Sequence, residues 1–396
     1  MFYNEKAFAL GSKRSIIREI FEYSKTRAQE IGVQNVFDFS LGNPSVEPPI
    51  EVNNAIKELL LLDDQTALHG YTSAQGDLNV RKAVSDNINK RFNLNLTPNN
   101  IYMTCGAAAS LSICLTAVLN QGEECIVFAP FFTEYRVFVE NAGGKLVISQ
   151  PDYNTLQINL NDFESKITKN TKAIILNSPN NPSGVVYTEE IIKKVCAILE
   201  KKQLEYNHPI YLISDEPYRE LVYGNVFVPY LMNYYDNTLV CYSYSKSLSL
   251  PGERIGYIAV NPQMQDSSNV YLAVCGAGRS LGYVCAPSMF QKVVEKCVDA
   301  KVNIDAYNKN RDLIYNALTE YGFDCVEPDG AFYLFVKSPT GDAFELYEQA
   351  KKHEILVVPC DDFGVKGFVR IAYCVDYKRI ENSLPHFKQL AKELGL

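Results

Sequence analysis

Short apolar runs alternate with helical stretches between about residues 100 and 260, and this alternation constrains the fold more than any other feature of the sequence. The clearest runs are 125–128, 145–148, 173–176, 210–214, 239–242 and 255–260. They are almost continuously apolar rather than alternating, which is typical of strands covered on both faces. The pattern therefore predicts a mostly parallel α/β sheet.

The pattern changes after about residue 288. A long polar helix from Ser288 to about Glu320 is predicted, followed by strand signals at 331–336 and 368–373. Near the N-terminus, apolar spacing predicts a helix from about Lys13 to Glu30 that ends at Gly32. We expect a large α/β domain over 46–288 and a smaller α+β domain formed by 1–45 and 289–396, with edges good to about ten residues.

Composition excludes several classes of partner. The 38 Lys and Arg against 46 Asp and Glu give a net charge of −8, whereas a nucleic-acid binder needs clustered cations. The 11 cysteines form no CxxC motif and the four histidines stand far apart, so no metal site is expected. Scattered thiols indicate a reducing compartment, and we expect a cytoplasmic location.

Membrane insertion is not expected either. The N-terminal segment lacks the long apolar core of a secretory signal. The uncharged stretch at 101–119 contains several Ser, Thr and Gly residues, and a buried strand, turn and helix explains it better than a membrane span.

A lysine and an arginine eight residues apart follow the run at 239–242. Lys246 stands in Ser-Tyr-Ser-Lys-Ser-Leu, among small hydroxyl residues, and Arg254 directly precedes the next apolar run. Either one alone is typical of an ordinary surface residue. Together they combine an amine that can form a Schiff base with a guanidinium that can bind phosphate.

Asp215 directly follows the run at 210–214, in Ser-Asp-Glu-Pro-Tyr. Ligands of open α/β sheets bind beyond the carboxyl ends of the strands. A carboxylate there either caps the next helix or faces a pyridine nitrogen. In the second case it raises the pKa of that nitrogen, so the ring stays protonated and accepts electrons from a carbanion.

Two other segments are rich in small or turn-forming residues. Residues 177–184, Asn-Ser-Pro-Asn-Asn-Pro-Ser-Gly, predict a loop. Residues 104–110, Thr-Cys-Gly-Ala-Ala-Ala-Ser, lie between a predicted strand and a predicted helix. Small residues there let backbone N–H groups at a helix N-terminus approach an anion, although close packing of the helix explains them equally well.

These elements, in this order, resemble the class I/II aminotransferases of pyridoxal phosphate fold type I, an aspartate aminotransferase-like family. The resemblance runs from Ser-Leu-Gly-Asn-Pro at 40–44 to Phe-Val-Arg-Ile at 368–371 and is most specific at 243–257. It implies pyridoxal 5′-phosphate as cofactor and a large domain with a mostly parallel seven-stranded sheet covered by helices. It also implies amino-group transfer between an L-amino acid and a 2-oxo acid, in a homodimer with shared active sites.

Carried over residue by residue, the resemblance implies roles around the cofactor ring. Lys246 matches the Schiff-base lysine, which also carries a proton between the substrate α-carbon and C4′ of the cofactor. Asp215 matches the partner of the pyridine nitrogen. Asn181 and Tyr218 match the hydrogen-bond donors to the phenolic oxygen.

The resemblance also implies a phosphate site. It consists of the backbone N–H groups of Gly106, Ala107 and Ala108 and the side chains of Ser243 and Arg254. Ser245 competes with Ser243 for this role. Some relatives carry a hydroxyl residue or a lysine where this chain has Ala108, so one side-chain contact is lost here.

Two aromatic residues are implied as well. Phe132 matches the residue that stacks on the ring, with Phe131 as the alternative register. Tyr71, in Gly-Tyr-Thr-Ser-Ala-Gln-Gly, matches a tyrosine that reaches the phosphate of the neighbouring subunit, which would build a dimer into the active site.

Substrate contacts are implied for three residues. Arg370 matches the arginine that grips the substrate α-carboxylate, a bidentate task for which a lysine is no substitute. Gly42 offers its backbone N–H to the same carboxylate, and Asn181 can reach it. A second cation for a dicarboxylate is not selected by spacing, and Arg279, Lys292 and Arg136 all remain open, as does broad or aromatic specificity.

Two rival functions share the fold. A carbon–sulfur lyase or an aminocyclopropanecarboxylate synthase uses nearly the same residues, but expels a β- or γ-substituent instead of reprotonating C4′. A cofactor-sensing regulator would carry a basic DNA-binding domain at its N-terminus. We do not expect the regulator, because only about 40 residues precede Gly42 and the chain is acidic.

Overall fold

The computed structural model describes residues 2–12 and 15–396. Within them the α-helices are α1 Glu5–Ser12, α2 Ile16–Ile31, α3 Ile50–Leu60, α4 Gln65–His69, α5 Leu78–Phe92, α6 Ala107–Val118, α7 Glu134–Asn141, α8 Leu160–Lys166, α9 Glu189–Tyr206, α10 Tyr244–Ser247, α11 Ser267–Ser280, α12 Ser288–Cys297, α13 Ile304–Glu320, α14 Ala343–Lys351 and α15 Tyr377–Leu394. The strands are β1 Phe37–Asp38, β2 Ile101–Thr104, β3 Glu124–Phe128, β4 Lys145–Ser149, β5 Thr171–Asn177, β6 Tyr211–Asp215, β7 Thr238–Ser243, β8 Gly256–Val260, β9 Asp324–Val326, β10 Tyr333–Lys337, β11 Ile355–Leu356, β12 Val358–Pro359 and β13 Phe368–Ala372.

Seven strands form one sheet, here called the large sheet, in the order β2-β8-β7-β6-β5-β3-β4. Neighbouring strands run parallel except at β8, which is antiparallel to both β2 and β7. The predicted α/β fold with a mostly parallel seven-stranded sheet is confirmed. Parallel order brings the carboxyl ends of β5, β6 and β7 to the same edge, which is where ligands of such sheets bind.

Helix α6 explains the long uncharged stretch of the sequence. Most of its residues are buried, and it packs across β5 to β8 on one face and against α11 on the other. A helix covered on two faces needs no charged stripe. The predicted buried strand, turn and helix are thus confirmed as β2 and α6, joined by Gly106 at φ 88°, a conformation that glycine adopts without strain.

A second, smaller sheet has the antiparallel order β12-β13-β10-β9 and is here called the small sheet. Strands β1 and β11 form a separate parallel pair. These elements fit the predicted α+β part of the chain. The boundaries at 45/46 and 288/289 stay a prediction.

The single long helix predicted from Ser288 to Glu320 is wrong. The structure has two helices, α12 and α13, separated by residues 298–303. Asn303 caps α13 because its side-chain oxygen accepts a hydrogen bond from the Ala306 N–H. Side-chain capping of this kind starts a new helix, and the polar composition of the stretch conceals the interruption.

At the N-terminus, the predicted helix is present as α2 and ends at Gly32 as predicted. Its expected start at Lys13 lies outside the described residues. Helix α1 was not predicted and none of its residues is buried. Across 2–12 and 15–396, no helix combines the length and apolar character needed to cross a bilayer.

Candidate active site

A cavity of about 590 Å³ opens at the carboxyl edge of the large sheet. Asn177 ends β5, Asp215 ends β6 and Lys246 follows β7 by three residues, and all three line the cavity. Tyr333 and Arg370, from the small sheet, close the opposite side. The cavity therefore lies between the two sheets, where residues far apart in sequence meet.

Lys246 projects into this cavity from the short helix α10. Its Nζ donates a 2.7 Å hydrogen bond to the backbone oxygen of Gly42 and lies 5.2 Å from the Phe332 ring centroid. Desolvation lowers the pKa of the Lys246 ammonium to about 8, and the positive charges of Arg254 and Arg370 act in the same direction. About one tenth of this amine is thus neutral, and nucleophilic, at pH 7, far more than for an ordinary lysine.

Asp215 presents one unused oxygen to the cavity. The Tyr135 hydroxyl donates a 2.5 Å hydrogen bond to Oδ2, while Oδ1 is buried and has no hydrogen-bond partner among the described residues. Desolvation raises the pKa of Asp215 to about 7, against the Tyr135 hydrogen bond, which lowers it. A buried carboxyl oxygen without a partner costs free energy unless a ligand satisfies it.

A hydrogen-bonded network surrounds Asp215. Asn177 donates through Nδ2 to the backbone oxygen of Asp215 at 2.9 Å and accepts from the Asn181 N–H at 2.7 Å. Asn181 in turn donates through Nδ2 to the Tyr218 hydroxyl at 3.5 Å. The loop at 177–184 is therefore fixed by side chain to backbone bonds, which hold Asn181 and Tyr218 beside each other.

Arg370 is buried on β13, with two of its nitrogens engaged. One terminal nitrogen donates to Asn181 Oδ1 at 3.1 Å and the other to the Ser40 backbone oxygen at 2.6 Å, whereas Nε has no partner in the described part of the chain. A guanidinium has five N–H donors, so donors remain for a ligand. Gly42 adjoins this site, and a Cβ at that position would collide with the Tyr333 hydroxyl.

The residues of the predicted phosphate site surround the start of α6. Ala107 and Ala108 line the cavity. The Arg254 guanidinium lies 3.1 Å from where a Cβ on Gly106 would stand, so a side chain there would crowd it. Ser243 and Ser245 are buried and lie 2.8 Å apart through their hydroxyl oxygens, so the structure leaves both open as phosphate contacts.

The two phenylalanines at 131 and 132 have different surroundings. Phe132 is partly exposed and lines the cavity. Phe131 is buried, and a Cβ on Gly364 would lie 2.8 Å from its ring. The geometry thus favours the register with Phe132, although stacking on a ring stays a prediction.

Several predicted residues lie outside this cavity. Tyr71 is fully exposed and is not among the lining residues. The three cations considered for a substrate side chain do not line it either. Lys292 is paired with Asp77, and Arg136 with Glu140.

Sequence reasoning missed the part of the cavity that α2 provides. Ser15 caps α2 by accepting from the Arg18 N–H at 3.4 Å, and the face that follows carries Ile17, Arg18, Phe21 and Glu22 into the cavity lining. At the other end of the helix, Arg27 holds both carboxylate oxygens of Glu354. Apolar spacing predicted the helix but could not predict what it faces.

Tyr135 and Tyr333 were also missed. Both are buried, and each donates or shares a hydrogen bond with a predicted site residue. Tyr135 lies three residues after Phe132, and Tyr333 lies within the strand signal at 331–336, and this proximity was the available signal. Tyrosine is so often a core residue that sequence alone could not single them out.

The residues present fit pyridoxal 5′-phosphate. A carboxyl oxygen without a partner suits a pyridinium N–H, and an amine with a lowered pKa suits an aldehyde. The start of α6 with Arg254 beside it suits a phosphate. Among the described residues, three cations and three carboxyl groups line the cavity, namely Arg18, Lys246, Arg370, Glu22, Glu134 and Asp215.

Comparison with known proteins gives consistent results. A family model described as "Aminotransferase class I and II" matches residues 34–387. A probable aspartate aminotransferase of Methanocaldococcus jannaschii is 31% identical, over 96% of this chain and 97% of the relative. Among solved structures, an aminotransferase from Eubacterium rectale has a TM-score of 0.98 and 52% identity over 100% of both chains. An aspartate aminotransferase from Thermus thermophilus, solved with maleate, has a TM-score of 0.84 and 25% identity over 96% of this chain and 97% of the other.

Proposed function

The chain belongs to the class I and II aminotransferase family, and on this premise we propose that Lys246 holds pyridoxal 5′-phosphate for its reaction. Membership makes the protein an enzyme, a transaminase, whose substrates are an amino acid and an oxo acid. Family members use pyridoxal phosphate. The observation that carries the proposal for this chain is a partly buried amine of lowered pKa in one cavity with a carboxyl oxygen that has no partner among the described residues.

When bound, pyridoxal 5′-phosphate supplies a carbonyl carbon that reacts with primary amines and a ring that withdraws electrons from the substrate α-carbon. Asp215 would support that withdrawal by holding negative charge beside the ring nitrogen, with Tyr135 fixing its other oxygen. Tyr218 and Asn181 would donate hydrogen bonds to the phenolic oxygen. Phe132 would pack on the ring.

Lys246 has two tasks in this proposal. Its neutral amine would be the nucleophile that holds the cofactor, and the same nitrogen, once released by the substrate amine, would carry the proton taken from the substrate α-carbon. Burial serves both tasks, because it keeps the amine partly unprotonated and excludes water from the carbon that gains or loses the proton.

A direct test uses purified protein supplied with pyridoxal phosphate. Borohydride should fix the cofactor on Lys246, as shown by mass spectrometry of the labelled peptide. Incubation with an amino acid and 2-oxoglutarate should then give glutamate. The lyase alternative would instead give ammonia and pyruvate, and the relatives reported above, all named aminotransferases, lend it no support.

Arg370→Lys should raise KM for every amino acid by about 10-fold or more, because a charged hydrogen bond contributes about 1.5–3 kcal/mol and a lysine cannot replace the fork. KM is measured for a panel that includes alanine, aspartate and phenylalanine. All of them share the α-carboxylate that Arg370 would bind. A rise confined to aspartate would reassign Arg370 to the side-chain pocket.

For the substrate side chain we propose an acidic group, bound by Arg18. Arg18 is exposed on α2 and, within residues 2–12 and 15–396, is the lining cation other than Lys246 and Arg370, which already have roles. Among the described residues it forms no ion pair within 4.0 Å, so its charge is available to a ligand. The maleate in the Thermus thermophilus structure is a dicarboxylate, which supports the same class of substrate.

Arg18→Gln should lower kcat/KM for aspartate about 10- to 100-fold and leave alanine nearly unchanged. Glu22→Gln should act in the opposite direction, because it removes a negative charge from the same wall. Arg136→Gln on the surface of α7 is the matched control, and Arg279→Gln tests the alternative cation. An equal loss for aspartate and alanine would contradict the assignment, and a wild-type preference for phenylalanine would point to the apolar wall instead.

The remaining expectations are proposals as well. We propose a cytoplasmic homodimer in which Tyr71 reaches the phosphate of the neighbouring subunit, and the full exposure of this tyrosine supports that geometry. Division into a large domain at 46–288 and a small domain at 1–45 and 289–396 agrees with the separation of the two sheets.

A further inference from the structure

Tyr333 contacts both halves of the site. It begins β10 of the small sheet, is 2% exposed and lines the cavity. Its hydroxyl oxygen lies 2.8 Å from that of Tyr218, which belongs to the loop after β6 of the large sheet. The hydrogen bond between the two hydroxyls therefore crosses from one sheet to the other inside the cavity.

The direction of this hydrogen bond follows from counting protons. A tyrosine hydroxyl has one proton to donate and can accept in addition. Under the proposed function, Tyr218 donates its proton to the phenolic oxygen of the cofactor, so its own oxygen must accept. Among the described residues, Tyr218 is the hydrogen-bond partner found for the Tyr333 hydroxyl, which leaves Tyr333 as the donor.

The ring of Tyr333 contacts the substrate side of the site. The Arg370 guanidinium carbon lies 4.7 Å from the ring centroid, within range of a cation–π interaction. Below the hydroxyl, the backbone of Gly42 approaches so closely that no side chain fits. One residue thus supports both the arginine proposed for the α-carboxylate and the tyrosine proposed for the cofactor.

We propose that Tyr333 is a positioning residue which donates its hydroxyl proton to Tyr218, strengthening the hydrogen bond from Tyr218 to the cofactor, while its ring holds Arg370 in place. This inference rests on the proposed function. Hydrogen bonds that are linked in series polarise one another, so a hydroxyl that accepts a hydrogen bond becomes a better donor. Both hydroxyls keep their protons at neutral pH, because burial raises the pKa of Tyr333 to about 12 and that of Tyr218 well above its usual range.

The test is Tyr333→Phe, which removes the hydroxyl and keeps the ring. The visible absorption of the protein loaded with pyridoxal phosphate, without substrate, is titrated with pH. Donation to the phenolic oxygen favours the unprotonated form of the bound group, so the midpoint should rise by about 0.5 unit when the donor chain is shortened. The value of kcat should fall about 3- to 10-fold, with KM nearly unchanged because the ring remains under Arg370.

Tyr373→Phe is the matched control. Tyr373 is equally buried, and its hydroxyl lies 3.2 Å from that of Tyr223, but neither tyrosine lines the cavity. This variant should leave the midpoint at the wild-type value, and the melting temperatures of both variants show whether folding is impaired. Tyr333→Leu, which removes the ring too, should shift the midpoint similarly and raise KM as well.

The outcomes separate this inference from the proposed function. If Tyr218→Phe moves the midpoint and Tyr333→Phe does not, Tyr333 is a packing residue and the inference is wrong. An equal shift of the midpoint in Tyr373→Phe would also overturn the inference. Loss of any buried tyrosine hydroxyl would then be enough to move the midpoint. If the wild-type protein binds no cofactor on Lys246, the proposed function fails and the inference fails with it.

Discussion

Replacing Lys246 by alanine is expected to lower kcat by at least about 10³-fold and to abolish the bond that borohydride reduces, while the fold is kept. The loss of kcat is large because the Lys246 nitrogen has two tasks, attachment of the cofactor and movement of the proton. Folding should not suffer, since the side chain removed is a buried amine whose charged form is disfavoured there. The measurements are single-turnover absorbance, mass spectrometry after borohydride, and thermal melting.

The lowered pKa of Lys246 gives a second measurement on the wild-type protein. Attachment of the cofactor needs the neutral amine, so its rate should rise with pH and level off above about pH 8. An ordinary lysine would keep rising toward pH 10. Lys292→Ala is the control, because this lysine is paired with Asp77 away from the cavity. A Lys246→Ala protein that still gave a labelled peptide after borohydride would refute the assignment.

Asp215→Asn is expected to lower kcat about 10²- to 10³-fold, which corresponds to the loss of a buried charge opposite the ring nitrogen. Without that charge the nitrogen loses its proton and the ring withdraws electrons less strongly. The asparagine keeps the size of the side chain, and its oxygen can still accept from Tyr135. Turnover close to wild type would remove Asp215 from the mechanism.

The cofactor-free protein offers a measurement on Asp215 that needs no turnover. The pKa of this carboxyl is about 7 in the folded chain, against 3.8 for an ordinary aspartate. The folded chain therefore holds a proton that the unfolded chain releases, and the resulting stability is complete below about pH 4 and is lost as pH rises toward 7. Relative to Asp215→Asn, wild-type melting temperatures should fall between pH 5 and pH 8, and pyridoxal phosphate should restore them in the wild type. A pH-independent difference would show that burial does not perturb this group.

Much of the fold could be predicted because its strongest signals are local. Continuous apolar runs predicted β3 to β8, since strands covered on both faces need no polar alternation. The break between α12 and α13 could not be predicted from composition, because Asn303 is one polar residue in a polar stretch. Helix α1 gave no signal either, since it buries none of its residues.

Some residues of the candidate site could also be predicted from local sequence signals, and others could not. Lys246 and Asp215 follow strands directly, so strand prediction already brings them to one edge of the sheet. Arg18 and Tyr333 reach the cavity through packing between the sheets, and no local pattern encodes which face of α2 or which end of β10 points inward. The three cations considered for the substrate failed to line the cavity for the same reason.

The pairing of β1 with β11 has a consequence for synthesis of the chain on the ribosome. Phe37 lies opposite Ile355 and packs on His386, and Phe39 packs on Phe387, so these early residues find these partners only in the segment from residue 355 onward. Until that segment emerges, Phe37 and Phe39 lack these partners. We therefore expect these two apolar side chains to stay without these contacts, and accessible to chaperones, until the end of translation.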